Sequence, residues 1–168
     1  MSVQEDIAAL IRQESTVTLP AFTPDTAWQI GTTLREMALE RKYSLVIDVR
    51  RFGAPHQQLF YCALAGTTPD NQRWVARKIN VVARFHKCSY HVGRLLEQSG
   101  LSFGDRYNLP MEDYAAHGGC FPITVDGAGI VGCVTVSGMP QREDHNFVVE
   151  ALCRITGRDY ESLRLAAE

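Results

Sequence analysis

The stretch from Gly66 to Gly93 constrains the fold more than any other part of the sequence, because it combines the longest helical pattern with the densest positive charge. Thr68 is a good helix cap, Pro69 fits the first helical position, and Asp70 places a negative charge beside the positive helix end. Polar and basic residues then recur every three or four positions, which puts them on one helical stripe. The stripe consists of Arg73, Arg77, Asn80, Arg84, Lys87, His91 and Arg94. The pattern predicts one long helix.

Apolar residues of the same stretch form two further stripes. One contains Val75, Ile79 and Val82, and the other contains Val81, Phe85, Cys88, Val92 and Leu95. A helix that is apolar on two sides must be packed against the rest of the protein on both of them. Its third, basic side is then the free edge. We interpret the part from Arg84 to Arg94 as an outer or inter-subunit edge, with Glu112 and Asp113 as possible acidic partners. Binding of phosphates or other planar anions is the alternative.

The first 42 residues predict a helical extension. Ser2 and Glu5 fit a capping box in front of a short amphipathic helix. Residues 15 to 22 are extended or loop. Thr23-Pro24-Asp25 repeats the cap seen at Thr68 and opens a helix that runs to about Arg41.

The rest of the chain predicts five strands and two more helices. The strand patterns cover Leu45 to Arg50, Gln57 to Leu64, Tyr114 to His117, Cys120 to Val125 and Ile130 to Val136. Asp126 to Gly129 is a hairpin turn. A helix follows Pro140 and ends at the C-cap Gly157, and a short one covers Asp159 to Ala167. Two hairpins favour a mostly antiparallel sheet with helices mainly on one face, in one α+β domain of residues 1–168.

Composition excludes several classes of function. The net charge is −2, and the basic stripe lacks interleaved aromatics, so nucleic-acid binding is disfavoured. No apolar run reaches membrane-spanning length, and the N-terminus lacks the pattern of a secretory signal. The cysteines are scattered without a C-x-x-C, which favours reduced thiols and a cytoplasmic location. They are Cys62, Cys88, Cys120, Cys133 and Cys153.

Two motifs resemble the HbpS/GlcG-like family, the group often labelled "haem-degrading domain", and within it a branch of uncharacterised cytoplasmic proteins. The first motif comprises Gly66, Thr67, Pro69, Asp70, Asn71, Trp74, Arg77 and Lys78. The second comprises Gly118, Gly119, Phe121, Pro122 and Ile123. Val136-Ser137-Gly138 and Asp144 fit as well, so the resemblance covers roughly Leu45 to Leu152. It implies a profilin-like, five-stranded fold, a cytoplasmic homo-oligomer, and in some relatives haem binding or breakdown.

His117 is the most suggestive ligand position, because it precedes Gly118 and Gly119, where the backbone permits close approach. Imidazole is the usual proximal haem ligand. The alternative is a partly buried histidine that hydrogen-bonds to the backbone.

Arg50, Arg51, Arg77 and Lys78 are the cations that we expect to bind an anion such as a haem propionate. Arg50 and Arg51 end a strand, where charges also discourage edge-to-edge pairing. Arg77 has a structural alternative, in which it fixes the loop from Thr67 to Asn71 by bonding to its carbonyls.

His86, Cys88 and His91 do not predict a metal site, because His86 and His91 diverge around a helix and leave two ligands at most. The common catalytic motifs of nucleotide-binding and hydrolytic enzymes are absent from the sequence. Two functions therefore remain open. An assembly or adaptor protein ranks first, and a module that binds haem or another small anionic ligand, with oxidative degradation as a further step, ranks second.

Overall fold

The computed structural model describes residues 2–166, which contain seven helices and four strands. The helices are α1 (Val3–Thr16), α2 (Pro24–Glu40), α3 (Pro69–Phe85), α4 (Ser89–Ser99), α5 (Phe103–Tyr107), α6 (Gln141–Thr156) and α7 (Tyr160–Leu163). The strands are β1 (Val46–Arg51), β2 (Gln57–Ala63), β3 (Cys120–Val125) and β4 (Gly129–Ser137). The predicted capping box forms, since Ser2 N–H donates to Glu5 Oε2 at 2.7 Å. The last helix is shorter than predicted, and Ala167 lies outside the described residues.

The sheet is antiparallel, as predicted, but it has four strands in the order β2-β1-β4-β3 instead of five. The segment from Tyr114 to His117 is not a strand. Its Ala115 N–H donates to the carbonyl of Arg77 at 3.1 Å, so the segment lies along α3 and its hydrogen bonds do not join the sheet. The short alternating pattern of this segment predicted a strand. The prediction failed because a segment that packs one side against a helix shows the same alternation.

Helices cover both faces of the sheet, which corrects the prediction of one covered face. Side chains of alternating strand positions point to opposite faces. Ile47 and Val49 enter the main core with residues of α1, α2 and α6, including Leu10 and Ile30. Val46 faces the other way and packs with Val75 and other residues of α3. Helix α3 therefore covers this second face of the sheet.

The prediction of one long helix is wrong, because a turn between α3 and α4 interrupts it. Phe85 ends α3, and His86 adopts the left-handed conformation with φ of 52°. Helix α4 begins at Ser89 and packs against α1. At the start of α4 the Cys88 N–H donates to Glu14 Oε1 at 2.7 Å. The helical spacing of apolar residues continues across this turn, because each of the two helices buries one face. The turn therefore could not be predicted from the spacing.

His91 and Arg94, at the C-terminal end of the predicted basic stripe, belong to an internal network, whereas Arg84 is exposed as an outer edge predicts. His91 is buried and its Nδ1 lies 3.0 Å from Glu14 Oε2. Arg94 lies 3.7 Å from the buried carboxylate of Asp6. Arg142 of α6 donates twice to the same carboxylate, at 2.8 Å each. These contacts fasten α1 to α4 and α6. Within the described part of the chain, no helix is long and apolar enough to cross a membrane.

Candidate functional site

A polar cleft of about 290 Å³ opens between the first turns of α3, the end of β4 and the start of α6. The sequence brings these elements together because β4 ends at Ser137, directly before the turn into α6. The lining consists of Asp70, Asn71, Trp74, Lys78, His117, Ser137, Gly138, Met139, Gln141 and Asp144. Two of the candidate ligand residues, His117 and Lys78, therefore meet in one site.

Lys78 and Asp144 form a buried ion pair at the base of the cleft. The Lys78 Nζ donates to Asp144 Oδ2 at 2.9 Å and to the Val136 carbonyl at 3.1 Å. The other carboxylate oxygen accepts from the Met139 N–H at 3.0 Å. Burial raises the pKa of Asp144, and the charge of Lys78 opposes that rise. The pair ties α3, β4 and α6 together at one point.

The sequence did contain a signal for this buried pair. Lys78 falls three residues after Val75 and four before Val82, which places it on the apolar stripe of α3. A lysine there must bury its ammonium group, and a buried charge requires a partner. Asp144 was predicted only to fit the family pattern, and Gln141 and Met139 were missed because their roles depend on the turn before α6.

His117 stands at the rim of the cleft and is partly exposed. Its ring meets the Trp74 ring edge to face, with centroids 5.2 Å apart. Desolvation lowers the pKa of His117, and the charges of Lys78 and Arg77 lower it further. The lowered pKa favours the neutral imidazole, the form that binds metals. Among residues 2–166 no side chain or backbone group hydrogen-bonds to its ring nitrogens, so the predicted alternative of a backbone-bonded histidine is not observed.

A second groove, of about 270 Å³, lies on the other side of His117, and its lining is mostly apolar. Its apolar residues include Leu96, Leu101, Phe103, Met111 and Tyr114. His117 and Gln141 line both cavities. The imidazole thus stands on a wall between a polar and an apolar space.

Helix α3 holds the loop that carries His117. The Arg77 guanidinium donates to the Met111 carbonyl at 3.0 and 2.6 Å, and Asn80 donates to the Asp113 carbonyl at 2.8 Å. Arg77 also lies over the Trp74 ring, 4.6 Å from its centroid. The hypothesis that Arg77 fixes the loop from Thr67 to Asn71 is therefore wrong, because the loop it fixes is the one before His117.

Gly118 and Gly119 are required by close packing at the back of the cleft. A Cβ on Gly118 would collide with the carbonyl oxygen of Gln141. Gly119 has φ of +121°, and a Cβ there would lie 2.7 Å from Lys78 Nζ. These glycines therefore let the chain pass between α6 and the ion pair.

Arg50 and Arg51 do not reach the cleft. Arg50 pairs with Cys133, four residues before Ser137 on β4, which is about 13 Å along a strand. Its guanidinium donates to both carboxylate oxygens of the buried Asp48, at 2.8 and 3.0 Å. Arg51 donates to the Phe22 carbonyl at 3.3 Å. Both arginines are engaged within the fold, at the far end of β1.

The residues of the first family motif shape the start of α3. Gly66 has φ of +90°, and Thr67 Oγ1 donates to the Leu64 carbonyl at 2.8 Å, which closes the turn after β2. Asn71 Oδ1 accepts from the Thr68 N–H at 2.9 Å. Asp70 accepts from the Trp74 indole at 3.1 Å. The motif thus orients Trp74 toward His117.

The residues of the second motif continue behind the cleft. Phe121 is buried in the main core, and Pro122 lies on β3 opposite Cys133. Neither lines the cleft.

A family model described as "Haem degrading protein HbpS-like" matches residues 22–153. The chain belongs to this HbpS-like family. A UPF0303 protein of Acidobacterium capsulatum is 56% identical over 165 residues, which cover 98% of each chain. A UPF0303 protein of Burkholderia ambifaria is 48% identical over 166 residues, which cover 99% of each.

Three solved structures share the fold of this HbpS-like chain. The Ybr137w protein superposes with a TM-score of 0.82 at 26% identity, covering 90% of this chain and 88% of that one. HbpS superposes with a TM-score of 0.63 at 18% identity, and the match covers 84% of this chain and 94% of HbpS. The haem complex of PduOC gives 0.66 at 14% identity, covering 79% and 94%. The predicted α+β class and the HbpS-like resemblance are thereby confirmed.

Proposed function

We propose that this protein binds an amphipathic ring with anionic arms at His117, and that the ligand is haem. The observation that carries the proposal is the position of the imidazole. It stands between an apolar groove and a polar cleft and lacks a protein hydrogen bond within the described chain, and its lowered pKa favours the neutral form. A ligand that contacts both cavities needs an apolar body and polar ends, which is the character of a porphyrin with propionates.

The residues around His117 fit such a ligand. Leu101, Met111 and Tyr114 offer an apolar wall for the ring, and the edge of Trp74 fixes the imidazole plane. His117 would supply a nitrogen ligand to the iron. These side chains would also exclude water from one side of the ring, which strengthens every electrostatic interaction there.

The cationic groups fit in part. Arg77 lines the apolar groove and not the cleft, and its guanidinium already donates to the Met111 carbonyl, so its contribution is a positive field beside His117. Lys78 is committed to Asp144 and the Val136 carbonyl, so its contribution is a positive field at the base of the cleft. Arg50 and Arg51, the other predicted cations, are remote and paired, and we assign them no role in binding.

Bound haem supplies an iron centre that can activate oxygen. The chain's own groups hold and orient the ring and keep the imidazole unprotonated. Two relationships support a haem-related role: membership of a family described as haem-degrading, and a shared fold with PduOC, which was solved as a haem complex.

Native mass spectrometry of the purified protein with one equivalent of haemin tests this function. We expect a species heavier by one haem per chain, together with whatever subunit number the protein has. The same spectrum from His117→Ala should show little retained haem. Equal retention by both proteins would contradict the assignment of His117.

The assembly or adaptor function stays a second proposal, and the exposed apolar surface beside β2 favours it.

We also propose one domain for residues 1–168, since α1 and α2 share the main core with the sheet. We further propose a homo-oligomer and a cytoplasmic location, and the free state of the five cysteines agrees with the location. Light scattering at micromolar concentration checks the oligomer, and a monomer would contradict it.

A further inference from the structure

The hydroxyl of Ser137 faces the polar cleft without a protein partner. Ser137 is the last residue of β4, and only 5% of its surface is exposed. It lines the cleft, and within residues 2–166 its hydroxyl neither donates nor accepts a hydrogen bond. Because a buried polar group without a partner costs free energy, this hydroxyl points to a ligand that supplies the partner.

Thr135 provides a contrast on the same strand. It lies two residues before Ser137, on the same face of β4, and it is fully buried. Its Oγ1 donates to the Sγ of Cys120 at 3.0 Å. The fold therefore uses the hydroxyl of Thr135 internally and leaves the hydroxyl of Ser137 to the cleft.

The start of α6 adds backbone donors beside Ser137. Pro140 stands at the N-cap of this 16-residue helix and offers no side-chain acceptor to the first turn. The first N–H groups of a helix have no partner within the helix, and no described residue accepts from the Gln141 N–H. Gln141 lines the cleft together with Ser137. Since a helix start attracts negative charge, these donors suit an anion.

Lys78 places its charge next to these donors without occupying them. Its Nζ donates to the carbonyl of the residue before Ser137 and to Asp144. Asp144 balances that charge and also accepts from the Met139 N–H. The Ser137 hydroxyl and the Gln141 N–H remain available to a ligand. A carboxylate has two oxygens and can accept from both groups at once.

We propose, building on haem binding at His117, that Ser137 and the first turn of α6 form a carboxylate site that binds one propionate of the haem. The start of α6 lies beside His117, because Gln141 Oε1 accepts from the N–H of the next residue, Gly118, at 3.4 Å. The hydroxyl of Ser137 and the helix start thus take the place of the arginines that the sequence predicted for the anionic arm. Ser137 selects ligands whose carboxylate is free.

Haemin and haemin dimethyl ester separate the contribution of the propionates from that of the ring, because both propionates of the ester are neutral. Titration in the Soret region gives the dissociation constant of each compound. We expect the native protein to bind both at His117 and to prefer haemin at least about tenfold, since hydrogen bonds to a charged group are the stronger ones. Ser137→Ala should reduce this preference about tenfold by weakening haemin binding alone.

Thr135→Val is the matched control. It removes a hydroxyl from the same strand face outside the cleft, so it should keep the native preference for haemin. Thermal unfolding without a ligand gives a second readout. Ser137→Ala should unfold no earlier than the native protein, because its hydroxyl has no protein partner to lose, whereas Thr135→Val should unfold at a lower temperature.

Asp70 tests the sign of the bound charge. Its carboxylate lines the cleft, is exposed, and accepts from the Trp74 indole at 3.1 Å. An asparagine keeps that acceptor and removes the negative charge that opposes an anion. Asp70→Asn should therefore bind haemin more tightly and the ester unchanged, and weaker binding of haemin would contradict an anionic arm in the cleft.

Two results separate the carboxylate site from haem binding itself. Equal affinities of the native protein for haemin and its ester, or a preference that Ser137→Ala retains, would overturn the carboxylate site and leave haem binding at His117 standing. A native protein that binds neither compound would overturn both.

Discussion

The Nζ of Lys78 lies 2.9 Å from Oδ2 of Asp144, and 66 residues of sequence separate the two. Both side chains are almost fully buried, at 3% and 2% exposure. The pair forms the base of the cleft and fixes the spacing between α3 and α6. The position of Trp74, one turn before Lys78 on the same helix, therefore depends on it.

Replacing Lys78 by Met should lower the free energy of unfolding by about 3–5 kcal/mol. The reason is that the carboxylate of Asp144 would remain buried without its counter-charge. Denaturant unfolding followed by circular dichroism measures the change.

The double variant Lys78→Met, Asp144→Leu is the control for that experiment. It removes both charges, so we expect it to be more stable than the single variant by at least about 1 kcal/mol, because a Met139 N–H left without its acceptor costs less than a buried unpaired charge. If the single variant has the same free energy of unfolding as the native protein, the ion pair does not stabilise the fold.

The substitution Gly119→Ala should destabilise the fold by about 2–5 kcal/mol, because it adds backbone strain at positive φ to a collision beside Lys78. Gly127→Ala is the matched control. Gly127 also has positive φ, of +77°, but a Cβ there meets open space, so the expected loss is only about 1–2 kcal/mol. Thermal unfolding of both variants compares them, and equal losses would argue against close packing behind the cleft.

Stability should fall below pH 6.5 because of His145. Burial lowers the pKa of His145 to about 3, and its Nε2 lies 2.8 Å from Gln13 Oε1. The unfolded chain takes up a proton near pH 6.5 and the folded chain does not, so the stabilisation is present above that pH and is lost as the pH falls toward 3. The slope from one such group is about 1.4 kcal/mol per pH unit.

The variant His145→Leu isolates this contribution to the pH dependence. Its stability at pH 7 should be lower, since Gln13 loses its partner. Between pH 6.5 and 5 its unfolding free energy should decline by about 2 kcal/mol less than that of the native protein. Parallel declines would show that His145 takes up its proton in the folded state.

Local patterns predicted the elements whose causes are local. The capping box at Ser2 and the hairpin turn at Asp126 depend on residues a few positions apart, and the structure has both. The family resemblance likewise depended on short motifs around Gly66 and Gly118.

Distant contacts decided the rest. The turn at His86 exists because α4 packs on α1. Glu14, which accepts a hydrogen bond from the Cys88 N–H at the start of α4, is more than 70 residues away from it in sequence. Arg50 is an exception, because its partner Asp48 is only two residues away on the same strand face. It looked free for an anion because the burial of the Asp48 carboxylate depends on the rest of the fold. The two cavities at His117 depend on a loop that α3 holds by four hydrogen bonds.

Titration of the protein with haemin, followed in the Soret region, tests the central claim most directly. We expect one equivalent per chain to give a sharp Soret band that differs from free haemin, and the band to shift or disappear in His117→Ala. His56→Ala is the control, because His56 lies in the turn after β1, at the end of that strand remote from the cleft, and its spectrum should match the native one. A free-haemin spectrum at equimolar native protein, or identical bands in the native protein and His117→Ala, would contradict the assignment of His117 as the haem ligand.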